Sequence, residues 1–395
     1  MAGAGLSCSV SDAPTLQLRR LMLRNFRSYA ELDQGFTSRI VVVAGANGVG
    51  KTNLLEAISL LSPGRGLRGA RGAELGQREG GAGLSWTIAG HFEGRLGPLV
   101  IGTGAEAGQD RRSFRLDGGA IRSQAELSAH VAMLWLTPQM DRLFQEGASG
   151  RRRFLDRLVW SLEPTHARDV AAHDAAMTQR NRLLSEGRRD PGWLAALEDT
   201  MARHAVAAIA ARRAMAAQLN AALADGVAGA FPAARLELAC PIAQALASQP
   251  ALAVEDQLRA GLAADRPRDA AAGGARQGAH RTDLRLLLLP RALPAELCST
   301  GEQKALLVSI VLAQAALVAA QRGFAPLLLL DEVAAHLDPQ RRAALFAALA
   351  ALPAQCFLTG TEALPFAPLS GIAQFLGGEP GGLRPLADFP VSYDR

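Results

Sequence analysis

The sequence predicts an α/β head assembled from two separated stretches, with an α-helical lobe inserted between them. Three features carry that expectation. A short β-branched run, Arg39-Ile40-Val41-Val42-Val43-Ala44, leads into a glycine-rich turn and then into Leu54, Leu55, Ile58 and Leu61 at helical spacing. Far downstream, Leu327-Leu328-Leu329-Leu330 ends in Asp331-Glu332, the pattern of a parallel strand buried on both faces with a polar tip. Between the two lies a compact stretch dominated by helical patterning.

The expected boundaries are an N-terminal extension at residues 1–14, the first part of the head at 15–137, the helical lobe at 138–279 and the second part of the head at 280–395. Met1 to Pro14 is small and polar, without the basic start and apolar stretch of a signal peptide.

Gly45-Ala46-Asn47-Gly48-Val49-Gly50-Lys51-Thr52 fits the P-loop pattern G-x-x-x-x-G-K-[ST] without a gap. Its glycines let backbone N–H groups curl around phosphate oxygens, and the helix that follows adds partial positive charge. The Thr52 hydroxyl is placed to ligate Mg²⁺. The helix is expected to end near Ser62-Pro63-Gly64. Of 42 basic residues only two are lysines, Lys51 and Lys304. At Lys51 a planar guanidinium would be too wide to slide between phosphates, so arginine cannot substitute there. Lys304 gives weaker evidence, because a base early in an exposed helix is ordinarily solvated.

Past the strand-like Val131 to Leu136, Gln139 in a Thr-Pro-Gln turn is a candidate nucleotide sensor. Ser149 to Asp156 opens a helical stretch that runs through Gln179-Arg180-Asn181-Arg182-Leu183-Leu184. A turn at Glu186 to Gly192 follows. Leu194, Leu197, Met201, Ala205, Ala208, Met215, Leu219 and Leu223 then mark one face of a long Ala-rich helix, giving a short antiparallel helical hairpin. Gly, Ala and Arg between Asp269 and Gly278 predict a flexible return to the head.

In the second part of the head, Cys298-Ser299-Thr300-Gly301-Glu302-Gln303-Lys304 reads as a capping box, with Ser299 as N-cap and Glu302 reaching back. The same helix start offers free N–H donors to an anion. Asp331 is assigned to Mg²⁺, and Glu332 to orienting and deprotonating water. His336-Leu337-Asp338-Pro339 follows, with Asp338 and Pro339 as N-cap and first residue of another helix. The sequence from 299 onward resembles the signature, Walker B and D-loop order of ATP-binding-cassette ATPases. In those proteins Ser-x-Gly, here Ser299 and Gly301, reaches the γ-phosphate held by the other subunit. Transporter cassettes carry a histidine after the next strand; here Thr361 stands in Cys356-Phe357-Leu358-Thr359-Gly360-Thr361.

Net charge is +5 with a pI near 9.5, which suits nucleic acid. Arginines cluster at Arg65, Arg68 and Arg71, at Arg111, Arg112 and Arg115, at Arg151, Arg152 and Arg153, and at Arg188 with Arg189. Each cluster can neutralise phosphates, and each also suits plain solvated surface in a chain so poor in lysine. No aromatic residues interleave with them for base stacking. Cys8, Cys240, Cys298 and Cys356 are scattered, which argues against a zinc site or a disulfide framework and favours a reducing cytosol. The apolar segment Ala305 to Ala320 contains Ser309 and Gln314 and reads as a core helix, not a membrane span.

As a set, these landmarks resemble the RecF family of bacterial DNA replication and repair ATPases, over nearly the whole chain from Leu16. Beyond the motifs above, the resemblance rests on Leu23-Arg24-Asn25-Phe26-Arg27-Ser28-Tyr29, Asn53-Leu54-Leu55-Glu56-Ala57-Ile58, Gly150-Arg151-Arg152-Arg153-Phe154-Leu155-Asp156 and Gly278-Ala279-His280-Arg281-Thr282-Asp283-Leu284. The last has Ala279 where proline is common in the family. The stretch between Lys51 and Ser299 is longer than in a transporter cassette and far shorter than in relatives with long coiled coils.

The resemblance implies a discontinuous P-loop head of the ATP-binding-cassette type and a clamp that binds double-stranded, gapped DNA. Two copies would sandwich two ATP molecules and hydrolyse them slowly, acting with RecR and RecO to place RecA and support the SOS response. It implies ATP and Mg²⁺ as ligands, a cytoplasmic location and no membrane partner. Arg27, His280 and Arg281 are further candidate contacts to nucleotide or DNA. Two other readings stay open at this point: an energising subunit of a transporter, and a nucleotide-gated scaffold with little turnover.

Overall fold

The computed structural model describes residues 16–386 apart from 80–81, 95–96, 122–123, 188–189 and 336; the expectations for 1–14, Arg188, Arg189 and His336 lie outside the described residues. The chain divides into two compact units. One comprises Met1–Asp141, Gly226–Phe231 and Thr300–Arg395, the other Arg142–Asp225 and Pro232–Ser299. Residues 280–299, expected with the head, fall in the second unit. The reason is strand pairing: Asp283–Leu288 is the centre of an antiparallel sheet, between Ala234–Ala239 and Leu293–Pro294.

Among the described residues the first unit contains two six-stranded sheets. The antiparallel sheet begins with Tyr29–Gly35 and Gln17–Phe26, then continues through Trp86–Gly94, Gly97–Ala105, Ser113–Leu116 and Gly119–Ala120. A register shift between Leu18 and Arg20 lets Leu18, Leu21 and Leu23 all point inward despite their uneven spacing. The second sheet runs Met133–Leu136, Leu327–Leu330, Cys356–Gly360, Ile40–Ala44, Ala373–Glu379 and Gly382–Pro385. Its first five strands are parallel and its last is antiparallel.

Every residue of Ile40–Ala44 and Leu327–Leu330 is buried, which is why both read as unbroken apolar runs. Each such Leu, Val or Ile contributes about 1.5–3 kcal/mol on burial. The Thr300–Arg322 helix is long and apolar enough by composition to cross a membrane, yet its most apolar window is 89% buried inside the fold. It packs on the Met133–Leu136 strand and the Pro339–Ala351 helix.

The second unit is built on the helices Ala148–Leu162, His166–Ser185 and Pro191–Ala224. The last two form the hairpin, but its first arm, expected as one stretch opening at Ser149, is broken at residues 163–165, where Pro164 cannot continue the helix. Asp190 caps the long helix by accepting from Gly192 N and Trp193 N, with Pro191 in its first turn. The return segment is anchored, contrary to its flexible composition. Buried Arg180 bonds both Glu198 (2.9 Å) and Asp269 (2.8 Å), and Asp269 also accepts Arg276 N at 3.1 Å.

The Gly278–Asp283 element is likewise tied into the lobe. Arg212 donates to Ala279 O (2.7 Å), Thr282 Oγ1 (3.2 Å) and Asp156 (2.7 and 2.9 Å). Arg151 grips Asp283 (2.8 and 2.9 Å), and Arg152 donates to Thr282 O (3.0 Å). His280 stacks on buried His173 with ring centroids 5.5 Å apart, and burial lowers its pKa.

Candidate active site

The parallel strands bring three loops to one edge of their sheet. Leu330 pairs with Leu358, and Gly360 pairs with Ala44, so the loops after those strands start side by side. Gly45 N donates to Gly360 O at 3.1 Å, and Asp331 N donates to Leu136 O at 2.9 Å. This is the edge at which open α/β sheets bind ligands.

The P-loop spans the gap between Ala44 and the Lys51–Ser59 helix. Ala46, Asn47 and Gly48 form its exposed tip, while Gly45 and Val49 are half-buried. Gly50 has φ +105, and a Cβ there would stand 2.7 Å from Ser28 Oγ and 2.9 Å from the Tyr29 hydroxyl. Only glycine closes this turn. Lys51 is buried, and its Nζ donates to Gly45 O (2.7 Å) and Ala46 O (2.9 Å). Burial lowers the pKa of Lys51, while the carboxylates of Glu332 and Asp331 oppose the shift.

Thr52 Oγ1 donates to Asp331, 2.9 Å from Oδ2 and 3.2 Å from Oδ1. Thr359 Oγ1 donates to Asp331 Oδ1 at 2.7 Å and accepts Glu332 N at 2.9 Å. Glu332 itself is in the left-handed region, with φ +48. Two hard oxygen donors, Thr52 in the first turn of the P-loop helix and Asp331 just past a strand end, suit Mg²⁺, which takes one or two protein oxygens and completes its shell with phosphate and water. Among the described residues no cluster of three or more His, Cys, Asp or Glu could hold a metal by itself. A metal site shared with phosphate fits the residues present.

Behind the loop stands a hairpin. Arg27, at φ +52 in the turn between the first two strands, forks onto buried Glu56 with two contacts of 2.9 Å and donates to Glu74 O at 2.9 Å. Arg68 joins the same carboxylate at 2.9 Å and reaches Asn53 Oδ1 at 2.8 Å. Asn53 Nδ2 donates to Ser28 Oγ (2.9 Å), and the Tyr29 hydroxyl donates to Gly50 O (3.1 Å). Consecutive residues of one turn thus brace the P-loop and the first turns of its helix.

Other residues singled out from sequence are dispersed. Gln139 is exposed in the short turn Pro138–Arg142. Ser299 is exposed immediately before the Thr300–Arg322 helix, and Gly301 is half-buried in its first turn. Asp338 caps the Pro339–Ala351 helix by accepting Arg341 N at 2.8 Å. Thr361 is exposed just past Cys356–Gly360; Thr359, two residues earlier, makes the contacts to Asp331 and Glu332. Lys304 is buried, not solvated as its helical position suggested.

Of the arginines, Arg65, Arg71, Arg111 and Arg153 are exposed, and Arg68 is exposed but paired with Glu56. Arg112 is held by the Leu60 and Gly64 carbonyls, while Arg151 and Arg152 serve the lobe. Thr359 and Glu56 escaped sequence reasoning. Their signals were a lone polar residue closing an apolar strand, and an acid on the inward side of an amphipathic helix.

A P-loop joined to the carboxylate tip of a parallel strand one place removed in the same sheet, with a helical lobe inserted in the chain, defines a nucleotide-binding head of the ATP-binding-cassette type. Residues 17–364 match the RecF/RecN/SMC N-terminal domain. The DNA replication and repair protein RecF of Mesorhizobium japonicum is 48% identical over 375 residues, 94% of this chain and 98% of that protein. That of Agrobacterium fabrum is 48% identical over 372 residues, 93% and 98% of the two chains. The chain belongs to the RecF family.

Solved structures agree on the fold. The recombination mediator protein RecF with ATPrS, in the RecFOR pathway, superposes with a TM-score of 0.82 at 21% identity, covering 95% of this chain and all of that one. An Smc head domain from Pyrococcus furiosus, with an extended coiled coil and bound to the C-terminal domain of ScpA, gives 0.51 at 14% identity, over 94% and 96%.

Proposed function

We propose that this chain is an ATP-gated DNA clamp that acts in the repair of gapped DNA. The observation that carries the reading is the 2.9 Å bond from Thr52 to Asp331 beside buried Lys51, which joins the P-loop to the strand-end carboxylates. Backbone N–H groups from Gly45 to Thr52, with the start of the following helix, would hold the β- and γ-phosphates of ATP. Lys51 exchanges its bonds to Gly45 O and Ala46 O for phosphate oxygens. Thr52 and Asp331 would hold Mg²⁺, which when bound neutralises charge on the phosphates. Glu332 takes the proton of the attacking water.

Ser299 and Gly301 of a second copy close over the γ-phosphate, with Asp338 alongside, so that ATP is sandwiched in a homodimer. Gln139 and Thr361, exposed after the two strands that flank Leu327–Leu330, report the nucleotide's state, and Arg27 joins them when it leaves Glu56. Turnover is slow, is stimulated by DNA and releases the dimer. Exposed Arg65, Arg71, Arg111 and Arg153, with Arg68, supply phosphate contacts to double-stranded DNA. Relatives carry the name DNA replication and repair protein, and one solved neighbour is placed in the RecFOR pathway. Action with RecO and RecR in loading RecA in the cytoplasm, supporting SOS induction, is the matching role here.

The test is binding of a labelled gapped duplex, with and without ATP, across a salt series. Binding that needs ATP and weakens steeply with salt is expected. Binding indifferent to ATP would overturn the reading.

A further inference from the structure

Lys304 is one of only two lysines in a chain that otherwise uses arginine for its basic side chains, and it is buried. It lies in the second turn of the helix that begins at Thr300. Its ammonium donates to two backbone carbonyls of one turn, Ala335 O at 2.6 Å and Glu332 O at 3.1 Å, and stands 3.8 Å from Asp141 Oδ2. Burial lowers its pKa, with Asp141 and Glu332 opposing. A compact ammonium fits between two converging carbonyls, where a flat, forked guanidinium does not.

The residue it holds has an unusual backbone. Glu332 is non-glycine at φ +48, a conformation that persists only where the surroundings over-determine it. Its N–H is taken by Thr359 Oγ1, and its carbonyl receives both Lys304 Nζ and Ala335 N, the latter at 3.1 Å. Thr359 and Ala335 N each make one bond to the backbone of Glu332; the lysine adds a second to its carbonyl and ties the Ala335 carbonyl to the same ammonium, which completes the clamp. The side chain of Glu332 emerges from a peptide fixed on both sides.

We infer that Lys304 is a positioning residue for Glu332, fixing the left-handed turn that aims this carboxylate and tying it to the helix that Ser299 and Gly301 open. The inference rests on the proposed ATPase reading for its catalytic part; the clamp on the turn stands on geometry alone. A contact on the first turn of the helix is thereby transmitted through a few residues to Glu332. Occupation of the signature and readiness of the carboxylate become one event.

The test uses the full chain with Lys304→Met, which keeps the stem and removes the donors and the charge. Two readouts are taken beside the parent protein and Glu332→Gln. Without nucleotide, amide hydrogen exchange in a peptide covering Asp331–Ala335 is expected to rise at least about tenfold, while exchange in Ile40–Ala44 stays as in the parent. With ATP, kcat is expected to fall at least about tenfold, with KM and nucleotide affinity within about twofold, since the P-loop is untouched.

Unchanged exchange at the turn would overturn the clamp whatever the turnover. Raised exchange with unchanged kcat would overturn the positioning role. A parent that hydrolyses no ATP, or a Glu332→Gln variant as active as the parent, would overturn the proposed function instead, and the exchange readout would still decide whether Lys304 holds the turn.

Discussion

The Thr359 hydroxyl stands 2.7 Å from Asp331 Oδ1, at the point where two neighbouring parallel strands end. The same oxygen accepts Glu332 N at 2.9 Å, so one buried hydroxyl sets both acidic residues of the Walker B tip. Thr359→Val keeps the shape and removes both bonds. Unfolding by denaturant should show a loss of about 1–3 kcal/mol, the cost of leaving buried polar groups unpaired. ATP turnover should fall with it, and Thr359→Ser should restore both. A valine variant equal to the parent would remove Thr359 from the site.

Tyr29 predicts a signature at high pH. Burial pushes its phenol up to about 12, so the folded protein keeps the proton while an unfolded chain loses it near 10. Between those values the unfolded state binds fewer protons, and stability falls as pH rises, by about 1.4 kcal/mol per unit from this group. Below pH 10 the group adds no slope. Tyr29→Phe should be flatter than the parent between pH 10 and 12, and should lose about 1 kcal/mol at neutral pH because Gly50 O loses its donor. Parallel curves for the two proteins would contradict this.

Glu56 carries the guanidiniums of Arg27 and Arg68 on one buried carboxylate. Breaking a fully buried pair costs about 3–5 kcal/mol; with both arginines partly exposed, Glu56→Gln should cost about 2 kcal/mol of unfolding free energy, read as a lower denaturant midpoint. Nucleotide affinity should fall as well, since Asn53 and Ser28 are braced through the same network. An unchanged midpoint would show that solvent already screens the cluster.

Much of this architecture was legible. The P-loop, the all-leucine strand and the cap at Asp338 are local patterns, fixed by glycine geometry, parallel-sheet burial and helix capping. The partnership between Thr52 and Asp331 followed from chemistry once both motifs were recognised. Lys304 and Thr359 were not placed, because their partners are backbone atoms and carboxylates brought close only by the sheet order. The flexible return at Asp269–Gly278 failed for a similar reason: its composition is that of a loop, but distant Arg180 pins Asp269. The arginine clusters look alike in sequence. Only folding separates exposed Arg65, Arg71 and Arg111 from Arg112, whose guanidinium is taken by carbonyls at the end of the P-loop helix.

That separation can be measured. Replacing Arg65, Arg71 and Arg111 together by Ala should leave the unfolding midpoint nearly unchanged. If all three touch phosphates, the slope of log affinity for duplex DNA against log salt should drop by about 3, at roughly 0.9 per contact. Arg112→Ala should do the reverse, lowering stability and leaving the slope intact. Equal slopes in the triple variant and the parent would move the DNA surface elsewhere.

In the proposed cycle ATP joins two copies of this chain, and Glu332 ends the association by hydrolysis. Sedimentation of Glu332→Gln with saturating ATP and Mg²⁺ tests it most directly. A stable dimer that falls back to monomer when ATP is removed is expected. A variant that binds ATP and stays monomeric would contradict it.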